Sequence, residues 1–149
     1  MTFRDAIDAC PELKGQGRAG TKALGSNAKH VRVTAPTGSL DIDEALRPHL
    51  PQDHRYDYGI GLPARGRRKD ERVVWVEVHS AYTSEVSRVL KKQDALARWL
   101  RTHAPDLNRM TTRYVWVPSG RVRIPKRTPQ YRQLAKSRVD LCSSPCSLP

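Results

Sequence analysis

The chain is short of what several protein classes need. No apolar run approaches the length of a membrane-spanning helix, so a bilayer segment is not expected. Cysteine is scarce and odd in number: Cys10, Cys142 and Cys146 include no CxxC pair. That excludes a four-cysteine zinc site and argues against a disulfide framework. The expectation is reduced thiols in a cytoplasmic protein. The opening MTFRDAIDAC carries Asp5 and Asp8 and no apolar stretch, so it is not read as a secretion signal. Hydrophobic residues reach only 38%, which predicts ragged ends around one modest core. Acids are few as well: 15 Asp and Glu face 27 Lys and Arg, for a net charge of +12 over 149 residues. Such an imbalance suits a polyanionic partner, nucleic acid ahead of an anionic membrane surface, with plain solubility as the alternative.

Residues 3–13, FRDAIDACPEL, have loosely helical apolar spacing that Pro11 interrupts. GQGRAG at 15–20 has the spelling of a dinucleotide fingerprint. It lacks the strand before and the helix after that the fingerprint needs, and is read as a flexible basic loop. HVRVTA at 30–35 alternates and predicts a strand, PTG a turn, and SLDID a second short strand. Asp41 and Glu44 have the spacing of a helix-capping pair ahead of EALRPHL. Asp43 is read as capping or exposed, with metal ligation as the alternative.

YDYGIGL at 56–62 and RVVWVEVHS at 72–80 read as adjacent antiparallel strands joined by the basic loop PARGRRKDE. Residues 84–105 give the strongest helical pattern. Ser84 is the expected N-cap, Pro105 closes the helix, and Val86, Val89, Leu90, Ala97 and Leu100 share a face with Gln93. TRYVWVP at 112–118 is a further strand. Strand, long helix and strand together imply a crossover between parallel neighbours. The expected class is therefore α/β, a small mixed central sheet with a covering crossover helix. A final basic helix over TPQYRQLAKSRVDL and a disordered tail, LCSSPCSLP, complete the chain.

The strand RVVWVEVHS carries a glutamate in its middle. Alternation puts Val74, Val76 and Val78 on one face and Trp75, Glu77 and His79 on the other. The valine face is expected under the crossover helix, leaving Glu77 and His79 to project from the opposite face about 7 Å apart. A carboxylate beside Trp75 is costly to desolvate, so an arginine, a proton or a metal ion must offset it. A salt bridge at the strand end is the plain solution. Asp57, at the start of the preceding strand, reaches Glu77 if the two strands pair. Two carboxylates with a main-chain carbonyl suit a hard cation, Mg²⁺ or Mn²⁺, which can activate water at a phosphodiester. No Ser-His-Asp or Cys-His arrangement competes, and Cys10 has no local group to activate it.

This order of elements, with Asp57 followed by Glu77-Val78-His79, resembles the core of the PD-(D/E)xK nucleases. The likeness covers residues 3 to 118 as topology. It implies a restriction-endonuclease-like domain over 1–125, followed by the basic helix and tail over 126–149. It implies that Asp57, Glu77 and the Val78 carbonyl hold Mg²⁺ or Mn²⁺, and that Glu12 is the position for an assisting acid in the first helix. Two features depart from the motif. No proline precedes Asp57, and His79 stands where the family has lysine. Histidine at that place acts as base or ligand instead of a fixed charge. Lys92 or Lys91, from the following helix, can supply the missing cation, as in members where the lysine has moved there. Gln93 matches a glutamine in the branch related to recombination exonucleases, or is a packed helper. The implied function is metal-dependent phosphodiester hydrolysis on DNA or RNA, by a homodimer if both strands of a duplex are cut. The alternative is a non-catalytic module that binds nucleic acid or protein, which the exchange of lysine for His79 favours.

Two basic runs complete the pattern: Arg65, Arg67, Arg68 and Lys69 in the hairpin loop, and Arg121, Arg123, Lys126 and Arg127 after the last core strand. Both are expected as charged rims beside the carboxylates, gripping phosphates without reading sequence. Tyr131 is placed to stack on a base or simply to face solvent.

Overall fold

A computed structural model describes residues 1–52 and 54–149. It is a mixed α/β structure around a five-stranded sheet. In chain order the elements are α1 (Phe3–Asp8), a 3-10 stretch (Lys22–His30), β1 (Val31–Val33), β2 (Gly38–Asp41), α2 (Ile42–Leu46), β3 (Tyr58–Leu62) and β4 (Arg72–His79). There follow α3 (Val86–His103), α4 (Pro105–Met110), β5 (Thr111–Pro118), α5 (Pro129–Lys136), β6 (Val139–Leu141) and β7 (Cys146–Leu148). The sheet order is β2-β3-β4-β5-β6. β2, β3 and β4 are successively antiparallel, whereas β4, β5 and β6 are parallel. The expected hairpin and crossover are both present.

β4 sits at the centre and is buried on both faces. Val73 and Trp75 join Tyr114, Trp116 and the α3 residues Val86, Val89, Leu96, Trp99 and Leu100 in the larger core. Val74 and Val76 join Ile60, Leu62, Val115 and Val117 in a second core, closed by Leu24, Val31, Cys146 and Leu148. This corrects the assignment of faces. The crossover helix covers the tryptophan and glutamate face, and the valine face is covered by the 3-10 stretch and the small β1–β7 sheet. The tryptophans need the deeper layer that a helix provides, and the valines fit under a flatter one. Gly59 is part of the same packing: a Cβ there would meet the Trp75 ring at 2.6 Å, so only glycine lets the ring lie on β3.

Several local expectations hold and others change. Asp41 caps α2, its carboxylate accepting from the Glu44 amide at 2.9 Å. Ser84 does not cap α3. A single 3-10 turn, Thr83–Glu85, leads into the helix, and Glu85 holds the cap position without capping it through its side chain. β1 and β2 do not pair with each other, because β1 pairs in parallel with β7. The stretch expected as a final helix is helical only over α5, and its last three residues form β6, which extends the main sheet; the stretch expected as a disordered tail forms β7, which buries Cys146 and Leu148. Leu134 and Val139 belong to the larger core, so residues after 125 pack with the rest. Cys142 and Cys146 form a disulfide and only Cys10 is a free thiol, which corrects the expectation of reduced thiols throughout. No described helix is long and apolar enough to cross a membrane.

Candidate functional site

Strand register brings the two acids together. Tyr58 pairs with Val76, so Asp57, one residue earlier, falls beside Glu77. Asp57 Oδ2 accepts a hydrogen bond from the Val78 amide at 3.0 Å. In an extended strand the N–H and C=O of one residue point to the same side, so the Val78 carbonyl also faces Asp57. The carbonyl of Asp57 accepts from the Asp43 amide at 3.2 Å, tying the start of α2 to the start of β3.

Glu77 is fully buried, at 0% exposure. Its Oε2 accepts from Lys92 Nζ at 2.5 Å. This contact exists because α3 covers the glutamate face. Among the described residues, Glu77 Oε1 receives no hydrogen bond. Burial, then the negative charge of Asp57, push the Glu77 carboxyl up to about 8, against the opposing pull of Lys92. Burial also raises Asp57, offset by the Val78 amide and by Lys92. Two touching carboxyls, one of them fully buried, need a proton or a cation to share.

His79 follows on the same face. Its Nε2 lies 2.9 Å from Glu85 Oε2, and its Nδ1 lies 4.0 Å from Glu77 Oε2. The hydrogen bond with His79 holds Glu85 below the usual carboxylate range. With Nε2–H donating to Glu85, Nδ1 presents a lone pair toward the carboxylate pair. The backbone of His79 is fixed as well, its carbonyl accepting from Trp116 Nε1 and from the Ser119 amide, both at 3.1 Å.

In front of these groups is an open cavity of about 340 Å³ lined by Asp43, His54, Arg55, Asp57, His79, Arg88 and Lys92. Its wall carries three cations, Arg55, Arg88 and Lys92, against two acids, Asp43 and Asp57. Arg55 donates to Asp43 at 2.9 Å and to the Leu50 carbonyl at 2.6 Å, and Arg88 stands 3.6 Å from Glu85. Glu77 is not part of the wall. It meets the cavity through its contacts with Asp57 and Lys92.

The structure therefore brings Asp57, Glu77, His79 and Lys92 together. Lys91 is exposed and Gln93 is buried toward Tyr114, and neither lines the cavity. Glu12 is elsewhere: it bonds Cys10 Sγ at 3.2 Å and lies 3.7 Å from His103, at the far end of α3. Arg121 and Arg123 are at the site end, because Arg123 donates its amide to the Ala81 carbonyl at 2.7 Å. Lys126 and Arg127 continue from there as exposed residues. Arg65, Arg67, Arg68 and Lys69 are not a rim of this site. Their loop joins the end of β3 to the start of β4, the opposite end of the strands from Glu77. Sequence reasoning missed Glu85, Arg88, His54 and Arg55 as site residues. Glu85, six positions after His79, carried no signal beyond its fit to a helix start.

Among the described residues no group of three or more His, Cys, Asp or Glu side chains is arranged to hold a metal ion. What stands at this end of the strands is two carboxyls, those of Asp57 and Glu77, with the Val78 backbone on the same strand edge. No known protein family, curated protein or solved structure matches this chain.

Proposed function

We propose that this protein is a metal-dependent phosphodiesterase acting on DNA or RNA, built on a restriction-endonuclease-like core. The observation that carries the reading is the fully buried Glu77 against Asp57, two carboxyls brought together at the carboxyl end of the central strand. A site at the carboxyl ends of parallel strands is where open α/β sheets bind ligands. Asp57, Glu77 and the Val78 carbonyl would hold Mg²⁺ or Mn²⁺. The ion would neutralise phosphate charge and lower the pKa of water.

The chain's own groups divide the remaining work. Lys92, delivered by the covering helix, supplies the fixed charge that the strand position of His79 does not. His79, oriented by Glu85, takes a proton from the attacking water at Nδ1. Arg88 stands on the cavity wall to steady a phosphate. Arg121, Arg123, Lys126 and Arg127 grip the backbone on either side. Cutting both strands of a duplex with one such site per chain calls for a homodimer.

A second reading has its own observation. Lys92 Nζ lies 2.5 Å from Glu77 Oε2, the salt-bridged glutamate that a non-catalytic binding module would keep. One experiment separates the two. The protein is incubated with plasmid and with single-stranded RNA in Mg²⁺, Mn²⁺ or EDTA, beside Asp57→Asn. Cutting in metal, none in EDTA, and a loss of about a thousandfold in the variant is the expected outcome. Binding without cutting in any metal supports the module.

A further inference from the structure

We propose that the β3–β4 hairpin is a second polyanion-binding site, which anchors a flanking stretch of nucleic-acid backbone at a distance from the carboxylates. The inference rests on the nucleic-acid reading of the site end and not on cleavage. Arg65, Arg67, Arg68 and Lys69 are all exposed, around a turn whose Gly66 has φ 66°. Among the described residues, none of the four has a carboxylate within ion-pair distance.

The adjacent acids are committed elsewhere. Asp70 is paired with the N-terminal ammonium at 2.9 Å and with Arg109 at 3.3 Å. Glu71 accepts from the Phe3 amide at 2.6 Å and from the Thr37 hydroxyl at 2.9 Å. Arg72 turns back to the Pro63 carbonyl at 2.8 Å and shares a cavity of about 110 Å³ with Arg65 and Arg113. A run of unneutralised cations repels itself, and a phosphate backbone relieves that repulsion.

Geometry makes this a separate site. Glu77 is five positions beyond Arg72 on β4, roughly 17 Å at about 3.3 Å per residue, and the loop projects further. At about 3.4 Å per nucleotide step, a strand must be on the order of six nucleotides long to touch both ends. Long substrates engage both ends at once, and short ones engage only one.

The test is fluorescence anisotropy in EDTA, where no cleavage is needed. It uses the full chain and a variant carrying Arg65→Ser, Arg67→Ser, Arg68→Ser and Lys69→Ser. Ligands are a thirty-base-pair duplex and a four-nucleotide oligomer. The expected result is at least a tenfold loss of affinity for the duplex near 0.1 M salt. The slope of log affinity against log salt should flatten by about 3 to 4, at about 0.9 per phosphate. The four-nucleotide oligomer, which occupies one end at a time, should bind the two proteins within about twofold. Arg65→Lys, Arg67→Lys and Arg68→Lys together should keep duplex affinity, because charge alone is required. Unchanged duplex affinity in the serine variant overturns the proposal, and so does an equal loss for both ligands. It is also overturned if the hairpin is needed for binding phosphatidylserine vesicles and not for binding the duplex. A protein that binds the duplex through these residues but cuts nothing in any metal sinks the hydrolase reading and leaves this one standing.

Discussion

Glu77→Gln is expected to abolish metal-dependent cutting and, in metal-free protein above pH 8, to raise the melting temperature. The two effects have one cause. Glu77 has its carboxyl pushed up from 4.5 to about 8 by burial and by Asp57. It is an acid whose folded value lies above its unfolded value. Between these values the folded chain keeps a proton that the unfolded chain has lost. Stability from this group is therefore complete below about pH 4.5, declines as pH rises toward 8, and levels off above it. The loss is on the order of a few kcal/mol, since a tenfold change in an acid's dissociation constant is worth about 1.4 kcal/mol and Lys92 softens the effect. Glutamine reproduces the protonated form at every pH. Calorimetry in EDTA at pH 6 and pH 9 should show wild type losing stability across the interval while the variant stays nearly level. A variant that melts below wild type at pH 9 would mean that the ionised Lys92–Glu77 pair stabilises the fold, and that the carboxylate is not held ready for an ion.

Lys92→Met should cost about a hundredfold to a thousandfold in cleavage, the range for removing one charge-stabilising donor. Nucleic-acid affinity in EDTA should stay within about threefold, because the backbone contacts proposed for Arg121, Arg123, Lys126, Arg127 and the hairpin do not involve Lys92. Its stability effect should depend on pH in the opposite sense to that of Glu77→Gln. Below pH 6 Glu77 is protonated and loses little with its partner. Above pH 8 an ionised carboxylate at 0% exposure is left beside Asp57 without its ammonium, at a cost of roughly 3 kcal/mol. Cleavage at the wild-type rate would show that Lys92 only pairs with Glu77 and takes no part at the phosphate.

Much of the site was legible from alternation and order. The period of two along RVVWVEVHS put Glu77 with Trp75 and His79, and the adjacency of the two strands brought Asp57 to the pair. The capping spacing of Asp41 and Glu44 marked where α2 begins. The covering layer was not legible. β4 is apolar on both faces, and in a doubly buried strand the pattern does not say which face a helix takes. Trp75 against Val76 was the only cue, and bulk decided it. The hairpin's place was legible and misjudged, since the loop before β4 must lie at the other end from the residues that close β4. β6 and β7, at three residues each, are too short to show a period. The Cys142–Cys146 spacing matches no metal or redox motif, so that bond had no sequence signal.

The most direct measurement is a calorimetric titration of Mn²⁺ into metal-free protein at pH 8, repeated with Asp57→Asn. One ion per chain in wild type, none in the variant, and weaker binding at pH 6, where Glu77 keeps its proton, is the expected result. No heat from wild type, or the same isotherm from Asp57→Asn, would contradict an ion held by these two carboxylates.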